Sequence, residues 1–264
     1  MGLPEADCIA PGKLADLTVI GLHRPNMQPI NNITKNLVYS GAKTNVRLTM
    51  VDGRILYENG RFLNADTDEI YKNAQAVHTL QEEGIDSEIF WIGNKPIGGC
   101  IGCHSCVKLG KCAFDDDPVN AFTAKAKAAD GFIFGSPVHY AAATGNLTAF
   151  MDRVFYSDGC GKGRAFYLKP AAAVASARRA GTTATLDQLN KYFTIAQMPV
   201  ISSRYWNMVH GFTPEDVMKD LEGLQVMRVL ARNMAYFLKC KAAGAAAGVE
   251  PPKTERAILT NFID

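Results

Sequence analysis

The chain has 264 residues, of which 47% are apolar and 20% charged, the profile of one large or two modest folded domains rather than a disordered segment. Lys plus Arg number 28 against 26 Asp plus Glu, and a formal charge of +2 argues against a nucleic-acid surface built on bulk charge. No apolar run reaches the roughly 18 residues of a membrane span, and Met1 to Gly12 lacks a basic stretch followed by an apolar one, so a cytoplasmic, reducing compartment is the expectation.

Residues 1–65 are rich in β signals. Leu17 to Ile20, Val46 to Met50 and Arg54 to Tyr57 are short apolar runs. Asp52-Gly53 between the last two predicts a hairpin, and Asn59-Gly60 a further turn. No chemical constellation appears here.

From 66 to 264 the periodicity changes. Ile70, Ala74, Val77 and Leu80 share one helix face, with Gly84 placed to end it. Ser87 to Ile92 reads as a strand. Pro118 to Ala129 reads as a helix with Asp117 as N-cap. Gly131 to Gly135 is an apolar strand, Asn146 to Phe155 a helix and Ala171 to Ser176 another apolar strand. Thr183 to Tyr192 reads as a helix and Met198 to Ser202 as a strand. A last helix runs from about Pro214 to Lys241, with Val217, Leu221, Leu224, Met227, Leu230, Met234 and Phe237 on its apolar face. Apolar strands alternating with helices imply an α/β fold: a doubly wound parallel sheet with a small β-rich N-terminal appendage.

In such sheets ligands bind beyond the carboxyl ends of the strands. Two stretches follow strands here, Ser136-Pro137-Val138-His139-Tyr140 and Ala177-Arg178-Arg179-Ala180-Gly181-Thr182-Thr183. The first offers a rigid proline and an aromatic ring, the second two guanidiniums beside a helix N-terminus. Together they suit a flat ring of anionic character such as a reduced flavin. Ordinary connecting loops with surface arginines are an equal reading of the same residues.

Four of seven cysteines fall within thirteen residues, as Cys100-x2-Cys103-x2-Cys106-x5-Cys112. An odd count without a secretory signal argues against a disulfide framework. The spacing resembles ferredoxin-type [4Fe-4S] ligation, and Gly98, Gly99 and Gly102 let the backbone bend around it. A tetrahedral zinc and four reduced thiols stay open as alternatives.

Gly135 to Tyr140, Gly145 to Arg153 and Ser176 to Thr183 resemble the NADPH-dependent FMN reductase group of the flavodoxin superfamily. The likeness spans about 78–264, roughly 70% of the chain. The cysteine motif is similar to that of the iron–sulfur flavoproteins within that group. The resemblance implies FMN bordered by Pro137, Val138, His139 and Tyr140, with Ser136 beside them, and closed on the pyrimidine side by Ser176, Ala177, Arg178, Arg179, Ala180 and Gly181. It also implies NAD(P)H as electron donor, a small-molecule or protein acceptor, and a homodimer or tetramer. Arg178, Arg179 and His139 are the candidate catalytic residues, the arginines steadying charge on the reduced ring. His139 is equally a packing residue.

Ala10 to Ile20, Asn36 to Tyr39 and Met50 to Arg54 resemble the C-terminal tail of amidohydrolases of the adenosine/S-adenosylhomocysteine deaminase type, over about 1–75. The five histidines form no His-x-His pair, so no hydrolase metal site follows. A flavodoxin-like domain normally opens with a central strand and a phosphate-wrapping loop. Neither has a counterpart before the helix near Lys72 to His78, which reads as continuous across the join. Losing several charge-assisted amide bonds of roughly 1.5–3 kcal/mol each would weaken FMN binding by a factor of thousands. The sheet then lacks a central strand unless Leu17 to Ile20 fills the slot. The expected function is a flavin-dependent oxidoreductase, with an inactive or structural fusion product as the alternative. Gly159 to Gly163 reads as a mobile loop near the site and Asp115 to Asp117 as a helix cap.

Overall fold

The computed structural model describes residues 9–11, 13–59, 61–62, 75–161, 163–255, 258 and 260. The chain divides into two compact units, Met1–Asn73 and Ala74–Asp264.

The first unit is a meander of β1 (Leu17–Ile20), β2 (Val46–Val51), β3 (Arg54–Glu58) and β4 (Arg61–Phe62). Asp52 and Gly53 both take positive φ, +48° and +73°. That is the twist a two-residue hairpin needs, which explains the Asp-Gly pair. A helix the sequence reading did not anticipate, α1 (Ile33–Tyr39), is capped by Asn32, whose side chain accepts the Lys35 amide at 2.9 Å. β1 pairs antiparallel with β2, Leu17 opposite Met50, so it belongs to this sheet and not to the second one.

The second unit is a flavodoxin-like α/β layer structure. Its strands are β5 (Phe132–His139), β6 (Ala142–Ala143), β7 (Ala171–Ala177) and β8 (Met208–His210), in spatial order β6-β5-β7-β8, with β5, β7 and β8 parallel. The helices are α2 (Gln75–Glu82), α3 (Cys106–Leu109), α4 (Val119–Ala128), α5 (Gly145–Cys160), α6 (Thr182–Ile195), α7 (Pro214–Val217) and α8 (Leu221–Ala246). β7 is Ala171-Ala-Ala-Val-Ala-Ser-Ala177, buried at nearly every position, and its small side chains admit helices on both faces. Ala171, Ala173 and Ala175 meet Phe150, Met151 and Val154 of α5 and Leu189 and Phe193 of α6. Ala172 meets Leu80 of α2 and Leu230, Ala231 and Met234 of α8. Phe122 of α4 joins the first core edge-on to Phe90 and Phe150 at 5.1 and 5.2 Å.

Four expectations are corrected. Ser87 to Ile92 forms no strand; among the described residues its ladder neighbour, the usual first strand, is missing, and an extended run without a partner cannot pair. Its Phe90 and Ile92 still pack on the core. Met198 to Ser202 makes only a single bridge, Val200 to Ala171. The ladder resumes at β8 after Ser203 to Trp206 bulge out, with Asn207 Nδ2 donating to the Ala173 carbonyl at 3.1 Å. The last helix is two helices, because Asp220 caps α8 through the Gly223 amide at 2.9 Å. Leu221 is consequently exposed instead of lying on the apolar face. Finally, Gly159 and Cys160 are the closing turn of α5 rather than loop.

The expected helix ending at Gly84 keeps its left-handed terminus, φ +74°. Ile70, Ala74 and the join near Lys72 lie outside the described residues. Among the described residues no helix is long and apolar enough to cross a membrane.

Candidate functional site

Ser136 to His139 do not form a loop; they continue β5, which turns through Tyr140 at φ +62° into β6, Val138 opposite Ala143 and His139 opposite Ala142. Ser176 and Ala177 likewise complete β7. The two predicted stretches meet. Pro137 pairs with Ser176 in the parallel ladder, and a β-carbon on Gly181 would stand 2.7 Å from Cγ1 of Val138. Ser136 is buried and spends its hydroxyl on the turn, donating to the Pro137 carbonyl at 2.8 Å and accepting the Thr144 amide at 3.0 Å. It is a hairpin lock rather than an open ligand.

Pro137, His139, Tyr140, Arg178, Arg179 and Ala180 are exposed, so among the described residues no side chain fills this ledge. Gly181 is the N-cap of α6 at φ +94° and makes no side-chain cap bond, leaving the first amides of a 14-residue helix aimed outward. The residues therefore fit a flat ring with an anionic edge. Phe212, 77% exposed, is an aromatic the sequence reading missed. It follows Gly211, whose amide donates to the Ala177 carbonyl at 3.1 Å. It carries no signal in the sequence, because the short strand it follows, β8, is not legible there.

Cys100, Cys103, Cys106 and Cys112 line one small cavity with Ile101, His104, Phe114, Arg153, Tyr156 and Ser157. The backbone reaches it through left-handed residues, Gly102 at φ +65° and His104 at φ +55°. The cavity, about 20 Å³, holds one water-sized group. Among the described residues no three His, Cys, Asp or Glu are gathered closely enough to hold a metal ion. The donor set fits a thiolate-bound metal group in kind and in facing one cavity, and loading requires the exposed Cys100 and Cys103 to draw in. Burial, with Cys160 nearby, pushes the Cys106 thiol up. The Ser105 hydroxyl pulls the exposed Cys103 thiol down.

Arg153, 2% exposed, braces this loop from α5. Burial opposes its charge, but hydrogen bonds to the Asp117 carboxylate and the Cys112 sulfur outweigh it and raise its pKa. Asp117 also accepts the Val119 amide at 3.1 Å; the N-cap of α4 proper is Pro118, one residue later than expected. Tyr156 was missed too: its hydroxyl bonds His104 Nδ1 at 3.1 Å. A second cavity of about 460 Å³ lies behind it, lined by Asp152, Phe155, Cys160, Tyr167 and Tyr192. Thr144 caps α5 beside the ledge. Arg153 follows nine residues later, about 14 Å along the axis, which separates ledge from cysteines.

The family profile described as NADPH-dependent FMN reductase matches residues 71–213. An iron–sulfur flavoprotein of Methanocaldococcus jannaschii is 33% identical over 174 residues, covering 62% of this chain and 87% of that protein. A second one from the same organism is 28% identical over 179 residues, covering 63% of this chain and 88% of its own length. A short segment is similar to a 5-methylthioadenosine/S-adenosylhomocysteine deaminase of Nitratidesulfovibrio vulgaris, 52% identical over 63 residues; the chain spans 14% of that enzyme. The crystal structure of RosB with a bound 8-demethyl-8-formylriboflavin-5'-phosphate intermediate matches with a TM-score of 0.50 at 16% identity, over 77% of this chain and 88% of RosB, and shows the fold.

Proposed function

The chain belongs to the NADPH-dependent FMN reductase family, and from that premise we propose that it passes electrons from NAD(P)H through FMN, held on the β5–β7 ledge, to a small-molecule or protein acceptor. The observation that carries the reading is the meeting of Val138 with Gly181, which joins the two ring-facing stretches into one surface. FMN, when bound, supplies chemistry that bridges two-electron and one-electron transfer. The chain's part is placement. The Pro137 to Tyr140 hairpin borders one side of the ring, and the α6 N-terminus with Arg178 and Arg179 faces the edge where negative charge grows on reduction. His139, exposed beside it, can hold a proton at that edge.

Among the described residues nothing replaces the phosphate loop, so the ring carries the affinity. Cys100, Cys103, Cys106 and Cys112 would hold a [4Fe-4S] cluster, which supplies single-electron chemistry. A second copy of the chain would cover the exposed Tyr140, as in a homodimer or tetramer, and the setting would be cytoplasmic. The exposure of Cys100 and Cys103 favours a second reading, an inactive fusion product with reduced or zinc-bound thiols and no flavin. An anaerobic preparation separates them: flavin and cluster absorb in the visible, whereas zinc or free thiols leave the protein colourless. A colourless protein that also ignores added FMN overturns the proposal.

A further inference from the structure

The four motif cysteines are of two kinds. Cys100 and Cys103 are exposed. Cys106 is buried at the start of α3. Cys112 is gripped at three atoms: its amide donates to Asn120 Oδ1 at 3.0 Å, its carbonyl accepts Asn120 Nδ2 at 3.0 Å, and its Sγ accepts Arg153 Nε at 3.2 Å. The same guanidinium donates to the Gly98 carbonyl at 3.2 Å, to the Phe114 carbonyl at 3.1 Å and to the Asp117 carboxylate, and its carbon lies 5.3 Å from the Phe114 ring centre. One buried cation thus ties the stretch entering the motif, at Gly98, to the stretch leaving it, from Cys112 to Asp117.

A neutral thiol is a weak acceptor. A thiolate, free or bound to metal, is a strong one, because the bond is charge-assisted. A buried guanidinium aimed at sulfur therefore makes chemical sense when that sulfur carries negative charge. Asp117 offsets part of the cation, and a net donor remains for Cys112. Donors to ligand sulfurs favour the reduced form of a metal group, since they stabilise the electron added to it.

We propose that Arg153 is the positioning residue of the cysteine loop. It seats Cys112 as a preset ligand of a thiolate-bound iron–sulfur group and, through its N–H on that sulfur, raises the group's reduction potential. Cys106 completes the fixed half, and Cys100 and Cys103 close over it. The potential-setting role rests on the iron–sulfur reading above; the seating of Cys112 does not.

The test uses the full chain, as wild type and as Arg153→Lys, whose single ammonium cannot serve all four partners. A second variant, Arg153→Met with Asp117→Asn, removes both buried charges so that neither is left unpaired should the lysine variant fail to fold. In metal-free protein at about pH 10, where free thiols are ionised and the rate reads access to sulfur, iodoacetamide labelling mapped by mass spectrometry should mark Cys103 at least about tenfold faster than Cys112 in wild type, and the variants should close that gap. Labelling of Cys112 as fast as Cys103 in wild type, or a gap unchanged by the variants, overturns the seating. After anaerobic loading with iron and sulfide, the variants should keep the group but shift its one-electron equilibrium about tenfold toward the oxidised form, roughly 59 mV lower. A loaded variant with unmoved potential overturns the potential-setting role. Wild type that takes up no iron sinks the iron–sulfur reading and with it that role, and the labelling ratio alone then decides the seating.

Discussion

Gly181 packs so closely on Val138 that a β-carbon there would come within 2.7 Å of its Cγ1, and its φ of +94° is one that residues with side chains rarely adopt. Both constraints act at the seam between the β5–β6 hairpin and the α6 N-terminus. Gly181→Ala should therefore cost about 1–3 kcal/mol, lower the melting temperature by several degrees and weaken flavin binding as the seam opens. A melting temperature and flavin affinity equal to wild type would show that the seam does not shape the ledge.

Arg178 and Arg179 are exposed at that seam. Replacing both with Ala removes the cations proposed to steady the reduced ring. The bound flavin should become harder to reduce by at least tenfold in its two-electron equilibrium, about 30 mV, in a spectroelectrochemical titration. An unchanged midpoint potential removes this role from the arginines.

Among the described residues the outer edge of β5 is open from Phe132 to Pro137, ahead of its pairing with β6. The Phe132 amide donates toward β7, to the Pro170 carbonyl at 2.9 Å, so the alternate amides of Ile133 and Gly135 face away from it. Pro137, next in that row, has no amide to leave unpaired, which blunts the edge. Hydrogen exchange should be at least about a hundredfold faster at Ile133 and Gly135 than in β7, which is paired on both sides. Equal protection would mean that another strand covers the edge.

Asp158 is 7% exposed and accepts the Ala165 amide at 3.1 Å. Burial pushes its pKa up, against the pull of Lys127 and Lys169. Below about pH 3.9, the unfolded value, both states hold the proton and no penalty arises. As pH rises past it the unfolded chain ionises first, and stability falls until the folded carboxyl has ionised too. Asp158→Asn keeps a side-chain acceptor without the charge. It should raise stability at pH 7, by about 1.4 kcal/mol per tenfold change in the ionisation constant, and leave it unchanged near pH 3. A loss of stability at pH 7 in a melting series would reverse this assignment.

Much of the fold is legible in the sequence because β5 and β7 are unbroken apolar runs and because Asp52-Gly53 admits little but a hairpin. Ser87 to Ile92 misleads because a strand is defined by its neighbour, and local pattern says nothing of whether one exists. β8 escapes because three residues, Met208 to His210, carry it after a bulge. The meeting of the two stretches is legible for a topological reason: both lie at the carboxyl ends of neighbouring parallel strands, although Pro137 continues β5 instead of following it. Ser136 resists the same logic, since its hydroxyl is consumed by Thr144 and Pro137, a contact that exists only once the hairpin has closed. Arg153 is hidden for another reason: 41 residues separate it from Cys112, and no periodicity links the two.

The most direct test is a titration of the apoprotein with FMN and with riboflavin, followed by calorimetry and by the shift in melting temperature. Recognition of the ring without a phosphate anchor predicts that both flavins bind, with dissociation constants within about tenfold of each other, and that the Arg178/Arg179 double Ala variant weakens both alike. A melting temperature unmoved by saturating flavin would contradict the account. So would FMN binding tighter than riboflavin by about a thousandfold or more, since several charge-assisted phosphate bonds would then be at work.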